Sequence, residues 1–326
     1  MTDRYHVSVM LDEVLALLTT TKQQPLLIDG TLGLAGHSVA FLEKYPGLQL
    51  IGVDADAEVQ AIARARLDPY GDRVRLVNSY FDEFFADFAS SGEKADLILL
   101  DLGMSMYHFR NAKRGFSLQS DDELDMRLDP STGRSALQLL NEEDEAGIRR
   151  ILSLYGEEPF AGRIATAIVQ QRSQAELRTA AQLAELIKRA VPSAHRHGKV
   201  HPATRSFQAI RIAVNDELGR IERALPLAVE CLAPDGVIGI ISFHSLEDRL
   251  VKRFFRERTV TVERDKFKPT PQAPILTNEG YRSLLPVNKK PIEASASELE
   301  ANPASRSAKL RVARVSAAEY PGKAVQ

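Results

Sequence analysis

Short apolar runs alternate with helix-like stretches over the first hundred residues. Amphipathic segments follow the first three apolar runs, through 39–42, through 58–67 and after Asp82. Such alternation is typical of βαβ units, and a strand that is apolar throughout is typical of a parallel sheet covered on both faces. The pattern predicts strands at 25–29 (PLLID), 50–53 (LIGV), 74–77 (VRLV) and 95–100 (ADLILL).

The alternation stops near residue 104 and resumes near residue 214. Residues 104–128 are polar and irregular, and three helical periods follow at 142–154, 159–171 and 179–191. The later part of the chain predicts a long helix that Pro226 kinks or divides, a turn, a buried strand at 237–243 and a closing strand at 309–315. Six prolines predict a loop over 265–308.

We therefore predict an α/β fold with an inserted all-helical domain. The expected parts are a core at 1–105, a helical insert for substrate recognition at 106–215, the rest of the core at 216–316 and a flexible tail at 317–326.

The composition argues against several classes of protein. The 326 residues include 44 acidic and 42 basic ones, so the net charge of −2 argues against nonspecific coating of nucleic acid. A local basic face remains open, because residues 249–268 hold eight basic and three acidic side chains interleaved with phenylalanines. That run predicts either RNA binding or a solvated helix face. The single cysteine, Cys231, excludes an internal disulfide and a cysteine-ligated zinc or iron–sulfur site.

No apolar run approaches the roughly 18 residues that cross a bilayer. We expect a cytoplasmic protein with no membrane partner.

A glycine-rich turn follows the first strand directly. It begins at Asp29 and places Gly30, Gly33 and Gly36 before a helix, with Asp54 at the end of the second strand. This arrangement suits a nucleotide-like ligand whose ribose hydroxyls bond a carboxylate. An acid at the start of the turn favours the cationic S-adenosylmethionine over a dinucleotide's pyrophosphate.

Other side chains near the predicted strand ends have two interpretations. Phe81 covers an adenine or packs in the core, and Asp56 is expected only to cap the next helix. Asp101 follows ADLILL at the edge where α/β folds bind ligands, so we predict a functional role for it.

Longer blocks carry a family resemblance that runs nearly the length of the chain. The sequence resembles the bacterial small-subunit rRNA cytosine-N4 methyltransferases, which implies a class I, Rossmann-like S-adenosylmethionine methyltransferase sheet with a helical insert. The matching blocks are 6–11 (HVSVML), 29–33 (DGTLG), 36–38 (GHS), 99–103 (LLDLG), 114–117 (RGFS), 124–127 (LDMR), 201–215 (HPATRSFQAIRIAVN), 241–249 (ISFHSLEDR) and 305–311 (SRSAKLR).

The resemblance implies methylation of N4 of a cytosine in the decoding centre of 16S rRNA, near the P site. The implied donor-binding residues are Ala35, Gly36, His37, Asp54, Phe81, Asp101 and His108. Two of them depart from the family pattern, since Ala35 replaces a usual glycine and His108 a usual glutamine. Candidate substrate-binding residues are Phe116, His201, Arg205, Phe207, Phe243, His244 and Arg249.

Methylation at cytosine C5 would need a cysteine nucleophile, and Cys231 lies in an apolar helix turn where packing is expected. An exocyclic amine fits better, with Asp101 accepting hydrogen bonds from the amino group or holding the donor. Ser245 and Asp248 match a helix-capping box rather than a hydrolase triad. His195, His197 and His201 lack a fourth metal ligand, so no metal is predicted.

Two rival functions stay open. One is an amino-methyltransferase acting on DNA or a small molecule, and the other is a non-catalytic, donor-binding ribosome assembly factor.

Overall fold

A computed structural model describes residues 8–110, 112–198, 200–259 and 283–316 of the chain. The elements before residue 104 are α1 (Leu11–Leu17), β1 (Leu26–Asp29), α2 (Gly36–Lys44), β2 (Gln49–Asp54), α3 (Ala57–Leu67), β3 (Val74–Asn78), α4 (Phe81–Ser91) and β4 (Ala95–Asp101). Six helices follow: α5 (Met106–Arg110), α6 (Ala136–Glu142), α7 (Glu145–Gly156), α8 (Ala161–Gln174), α9 (Ala180–Ala190) and α10 (Thr204–Asn215). The remaining elements are α11 (Glu217–Cys231), β5 (Leu232–Ser242), α12 (Ser245–Arg258), β6 (Leu284–Pro286), β7 (Ile292–Glu293), α13 (Ala296–Ala301) and β8 (Lys309–Val315).

The strands form one mixed sheet in the order β3-β2-β1-β4-β5-β8-β6, with β7 also paired to β8. The first five strands are parallel, and β8 runs antiparallel to β5. Strand order reverses between β1 and β4, which is where doubly wound sheets bind ligands beyond their carboxyl ends. The predicted α/β sheet is confirmed.

The chain divides into two compact units. One comprises Met1–Gly103 and Arg220–Gln326, and we call it the sheet unit; the other, Met104–Gly219, is the helical unit. In the sheet unit, Leu27, Leu97 and Val237 from three strands pack with Phe41 of α2 in a buried core. Burial of such side chains is the main term that stabilises the unit.

The helical unit has an apolar core of its own. Amphipathic helices contribute it, with Ile148 of α7, Ile164 of α8, Leu183 of α9 and Ile210 of α10 all buried. Of these four helices, α7, α8 and α9 correspond to the three helical periods seen in the sequence.

Capping and packing explain several local predictions. Asp56 precedes α3 and accepts hydrogen bonds from the backbone N–H groups of Glu58 and Val59, at 2.9 and 3.4 Å, so its predicted capping role is confirmed. Cys231 is fully buried, as its apolar surroundings predict. Within the described ranges no helix is both long and apolar enough to cross a membrane.

Prolines have less effect on the secondary structure than the sequence predicts. α11 continues through Pro226 as one helix, so Pro226 does not divide it, and Leu225 and Ala228 on either side are buried. The loop expected over 265–308 contains β6, β7 and α13. Pro286 is tolerated there since it ends a short edge strand. Residues 260–282 and the tail at 317–326 lie outside the described residues.

Candidate active site

Asp29 is the last residue of β1 and is buried at the carboxyl edge of the sheet. The hydroxyl of Ser38 donates to its Oδ2 at 2.6 Å, and the backbone N–H of Thr31 donates to Oδ1 at 3.3 Å. Burial raises the pKa of Asp29 to about 6; the neighbouring Asp54 adds to the rise, and the two hydrogen bonds oppose it.

The glycine-rich turn brings backbone very close to its neighbours. A Cβ on Gly30 would lie 2.6 Å from Cδ2 of Leu100, and one on Gly36 would overlap the Ser8 hydroxyl. Gly30 also donates its N–H to the carbonyl of Leu99 at 2.9 Å, which ties the turn to β4. A side chain is therefore excluded at Gly30 and Gly36, and the turn presents only backbone at these two positions.

Two residues of this turn adopt left-handed backbone conformations. Gly33 has φ of 51°, which glycine reaches without strain. Ala35 has φ of 62° immediately before α2, and its side chain is fully buried. A Cβ is disfavoured in this region, so the alanine at this position carries backbone strain that glycine would not.

Asp54 and Phe81 lie at the same edge of the sheet. Asp54 ends β2, where its Oδ2 accepts from the N–H of Gly33 at 2.8 Å and its Oδ1 from the N–H of Asp56 at 2.9 Å. These bonds orient the carboxylate toward the turn. Phe81 begins α4, and its Cβ is 3.6 Å from the position that a Cβ on Gly30 would take.

Asp101 ends β4 next to the turn, and its backbone N–H donates to the Thr31 hydroxyl at 2.6 Å. Its side chain is 21% exposed, and the buried Oδ1 accepts no hydrogen bond from a described residue. Desolvation raises the pKa of Asp101 to about 8, with further contributions from the Asp29 and Glu247 carboxylates and an opposing one from the Gly103 amide. A polar atom left buried in this way is suited to a ligand's hydrogen-bond donor.

The structure brings His37 beside Asp101, a relation that sequence order did not reveal. His37 is buried in the first turn of α2, where its Nε2 lies 3.0 Å from the carbonyl of Val9. Because a carbonyl only accepts, Nε2 carries a proton and donates it in this contact. The Nδ1 of the same ring lies 3.9 Å from Oδ2 of Asp101.

The end of β5 contributes Phe243 and His244. The Phe243 ring packs over the backbone of Gly103, where a Cβ would lie 2.5 Å from its Cε2. His244 is the N-cap of α12: its Nδ1 accepts from the N–H of Glu247 at 3.4 Å, and Glu247 Oε2 accepts from the His244 N–H at 3.2 Å.

The capping box thus starts one residue before the predicted Ser245. Asp248 bonds Arg311 at 2.8 Å instead of capping the helix. Glu247 follows the cap by three residues, and this spacing is the signal that would have identified it.

The remaining predicted residues have contrasting environments. Arg249 is exposed on α12 in the sheet unit, whereas the others belong to the helical unit. There Phe116, Phe207 and His108 are buried, so the two phenylalanine rings predicted to bind substrate would have to leave the core to contact it. His201 and Arg205 are exposed at the start of α10.

A family model described as the MraW methylase family matches residues 3–316. The chain belongs to the MraW methylase family. Two curated relatives, each named ribosomal RNA small subunit methyltransferase H, agree with this. The one from Treponema denticola is 45% identical over 95% of this chain and 96% of its own length. The one from Heliobacterium mobile is 44% identical over 95% and 98%.

Among solved structures, the N-methyltransferase NodS from Bradyrhizobium japonicum is 9% identical, with a TM-score of 0.41 over 94% of both chains. The family, and with it the predicted methyltransferase activity and S-adenosylmethionine donor, is confirmed by the family match and the curated relatives.

Proposed function

We propose that this MraW methylase transfers a methyl group from S-adenosylmethionine to N4 of one cytosine in the decoding centre of 16S rRNA, near the P site. The relatives named as small-subunit rRNA methyltransferases support the substrate class. The observation that carries the chemistry is Asp101, a carboxyl group with a buried oxygen that no described residue bonds, at the carboxyl edge of β4. The cytoplasm, where small subunits assemble, is the proposed location.

The residues at this edge fit the donor. S-adenosylmethionine supplies an electrophilic methyl group on a positively charged sulfur. Gly30, Gly33 and Gly36 let backbone approach it, while Asp29 and Asp101 provide negative charge for its cationic end. We propose that Asp54 accepts hydrogen bonds from the ribose hydroxyls and that Phe81 covers the adenine. His108 is the proposed further donor contact, from the helical unit.

We assign proton acceptance to Asp101. Cytosine N4 is conjugated with the ring and is a weak nucleophile. A carboxylate that accepts hydrogen bonds from the amino protons aligns the amino group for attack, and it stabilises the positive charge that develops on N4 as the new bond forms. The ionised form of Asp101 is favoured when a cation is bound beside it.

The helical unit is the proposed RNA-recognition part. His201 and Arg205 are exposed at the start of α10 and suit phosphates or a base edge. Arg249, His244 and Phe243 are the proposed contacts from the sheet unit, and Phe116 and Phe207 shape the core behind α10.

The test is to incubate the protein with labelled S-adenosylmethionine and small subunits from a strain lacking this gene, and to digest the rRNA to nucleosides. N4-methylcytidine at one decoding-centre position is the expected product. Donor binding without any methylated nucleoside would instead indicate the non-catalytic assembly factor. A methylated base other than N4-methylcytidine would reassign the reaction.

A further inference from the structure

The backbone that follows Asp101 is tied to the end of β5. The N–H of Leu102 donates to the carbonyl of Ile241 at 2.9 Å, and Ile241 is the residue that pairs with Asp101 in the sheet. The amide of Gly103 hydrogen-bonds the Asp101 carboxyl group and opposes the rise in its pKa, whereas Oδ1 accepts no hydrogen bond from a described residue. The Gly103 amide therefore stabilises the ionised carboxylate and leaves one oxygen for a ligand.

The Phe243 ring packs against Gly103 on the side where a side chain would stand. A Cβ added to Gly103 would lie 2.5 Å from Cε2, 2.6 Å from Cδ2 and 3.0 Å from Cζ of this ring. The ring is half-buried and packs against the apolar core of the sheet unit as well. Because close-packed neighbours leave little room for movement, the ring restrains the backbone of Gly103.

Glu247 in turn fixes the backbone that carries the ring. Its Oε2 accepts from the N–H of Phe243 at 2.7 Å and from the N–H of His244 at 3.2 Å. Glu247 is 1% exposed, so water does not compete for these bonds. Hydrogen bonds to a carboxylate are among the stronger ones in proteins, and two of them leave the start of the 243–244 turn little freedom.

We propose that Glu247 and Phe243 are positioning residues for Asp101: Glu247 fixes the Phe243 backbone, and the Phe243 ring keeps the Gly103 amide against the Asp101 carboxyl group. This inference rests on the proposed function, in which Asp101 accepts hydrogen bonds from the amino group of cytosine. A carboxyl group whose rotation is set by a fixed amide presents its remaining oxygen in one direction, which aligns the amino group for attack.

The first experiment measures hydrogen exchange of the Gly103 amide by NMR, on the full chain without substrate. Wild-type protein should protect this amide, and Phe243→Ala should speed its exchange by about tenfold because the ring no longer restrains it. Tyr45→Ala is the control, since Tyr45 is another half-buried ring packed against the same core. An equal acceleration in both variants, or none in Phe243→Ala, would overturn the proposal.

Two substitutions of Glu247 test its part in the same measurement. Glu247→Gln keeps an oxygen that accepts both backbone N–H groups and should preserve the protection of the Gly103 amide. Glu247→Ala removes the acceptor and should speed exchange by about tenfold. Urea unfolding of both variants separates this local effect from a general loss of stability. If the two variants exchange equally fast at Gly103, Glu247 has no positioning role.

The second experiment measures kcat, at saturating donor and small subunits, for Gly103→Ala in two backgrounds. With Phe243 present, the new Cβ collides with the ring, and kcat should fall about 100-fold, as expected for a misplacement near 1 Å. In Phe243→Ala the Cβ has space, so the same substitution should cost under about threefold more than Phe243→Ala alone. An equal cost in the two backgrounds would contradict the role of the ring.

The two proposals fail in different ways. If wild-type protein makes no N4-methylcytidine but the exchange results are as expected, the proposed reaction is wrong and the positioning of Asp101 stands. If wild-type protein makes N4-methylcytidine but the Gly103 amide exchanges equally fast with and without the Phe243 ring, only the positioning inference is wrong.

Discussion

In the sheet unit, Asp29 and Asp101 are carboxyl groups at a sheet edge that have no lysine or arginine partner among the described residues, and their pKa values are raised to about 6 and 8. In the helical unit, Asp125 instead receives two hydrogen bonds from the side chain of Arg127, at 2.8 and 2.7 Å. Those bonds and the positive charge lower the pKa of Asp125 despite its partial burial. The pKa of an aspartate is therefore raised at the edge of the sheet and lowered beside Arg127 in the helical unit.

The difference fits the proposed role of Asp101 in the reaction and a structural role for Asp125. An unpartnered carboxylate that loses water destabilises the native state, and such groups concentrate at functional sites. Asp125 and Arg127 instead brace a turn around Met126, whose φ of 58° needs support. Asn215 supplies more of it by bonding the Met126 carbonyl at 2.7 Å and the Leu128 N–H at 2.8 Å.

The largest expected effect comes from Asp101→Asn, which keeps the shape and removes the ionisable group. Methylation should fall about 10³-fold, within the range usual for loss of a general base. Stability at pH 8 should rise by on the order of 5 kcal/mol, because the pKa of Asp101 is raised by about four units in the native state and its ionised form is disfavoured there. Turnover of labelled donor and urea unfolding measure the two effects.

Asp87→Asn, an exposed acid on α4, is the control and should change neither quantity. Wild-type turnover in Asp101→Asn would remove Asp101 from the mechanism. A loss of both activity and stability would indicate a structural role and erase the contrast with Asp125.

Next in size is the pH dependence of activity. With Asp101 protonated below its raised pKa of about 8, kcat/KM for the donor should rise by about tenfold per pH unit toward that value and then level off. Stability should move the other way: the raised pKa means that the stabilisation linked to Asp101 is full below about pH 4 and is lost as pH rises toward 8. A flat profile between pH 6 and 8 would show that Asp101 is already ionised.

The variant Arg127→Met should lose stability, whereas Asp101→Asn should gain it. The loss should be the smaller of the two changes. Loss of a part-exposed, bidentate pair should reduce the free energy of unfolding by about 1–2 kcal/mol. Because the pKa of Asp125 is lowered, this contribution is present above about pH 4 and is lost as pH falls through the folded-state value. Urea unfolding of Arg127→Met, Asp125→Asn and the double variant would measure the coupling, and additivity would refute it.

The smallest change concerns Ala35→Gly at the donor turn. The substitution relieves left-handed backbone strain, which should stabilise the fold by about 1–2 kcal/mol. It also removes a buried methyl group and gives the unfolded chain more conformational freedom, and both effects destabilise the fold. The net change in the free energy of unfolding should therefore stay under about 1 kcal/mol. Ala63→Gly, a buried position within α3, has no strain to relieve and should lose about 1–2 kcal/mol. Equal losses at both positions in thermal unfolding would show that Ala35 is unstrained.

Much of the sheet unit was predictable from local patterns, since β1, β2, β4 and β5 each contain an apolar run and amphipathic segments follow the first three strands. Asp29, Asp54 and Asp101 were recognisable as strand-end acids for the same reason. The capping of α12 was misplaced by one residue, because Ser245 is a good capping residue by type while the backbone geometry selects His244. The extra strands β6 and β7 were missed because their proline-rich segment gains order only by pairing with β8.

The sequence by itself determined the alternating α/β pattern, the glycine-rich turn and the family, since these depend on residue type and spacing. Only the tertiary structure decided that His37 lies beside Asp101, and that the carboxyl group of Asp101 has no lysine or arginine partner among the described residues. Those properties depend on distances between elements far apart in the chain. They also depend on which side chains are removed from water. The packing of the folded chain sets both these distances and this burial.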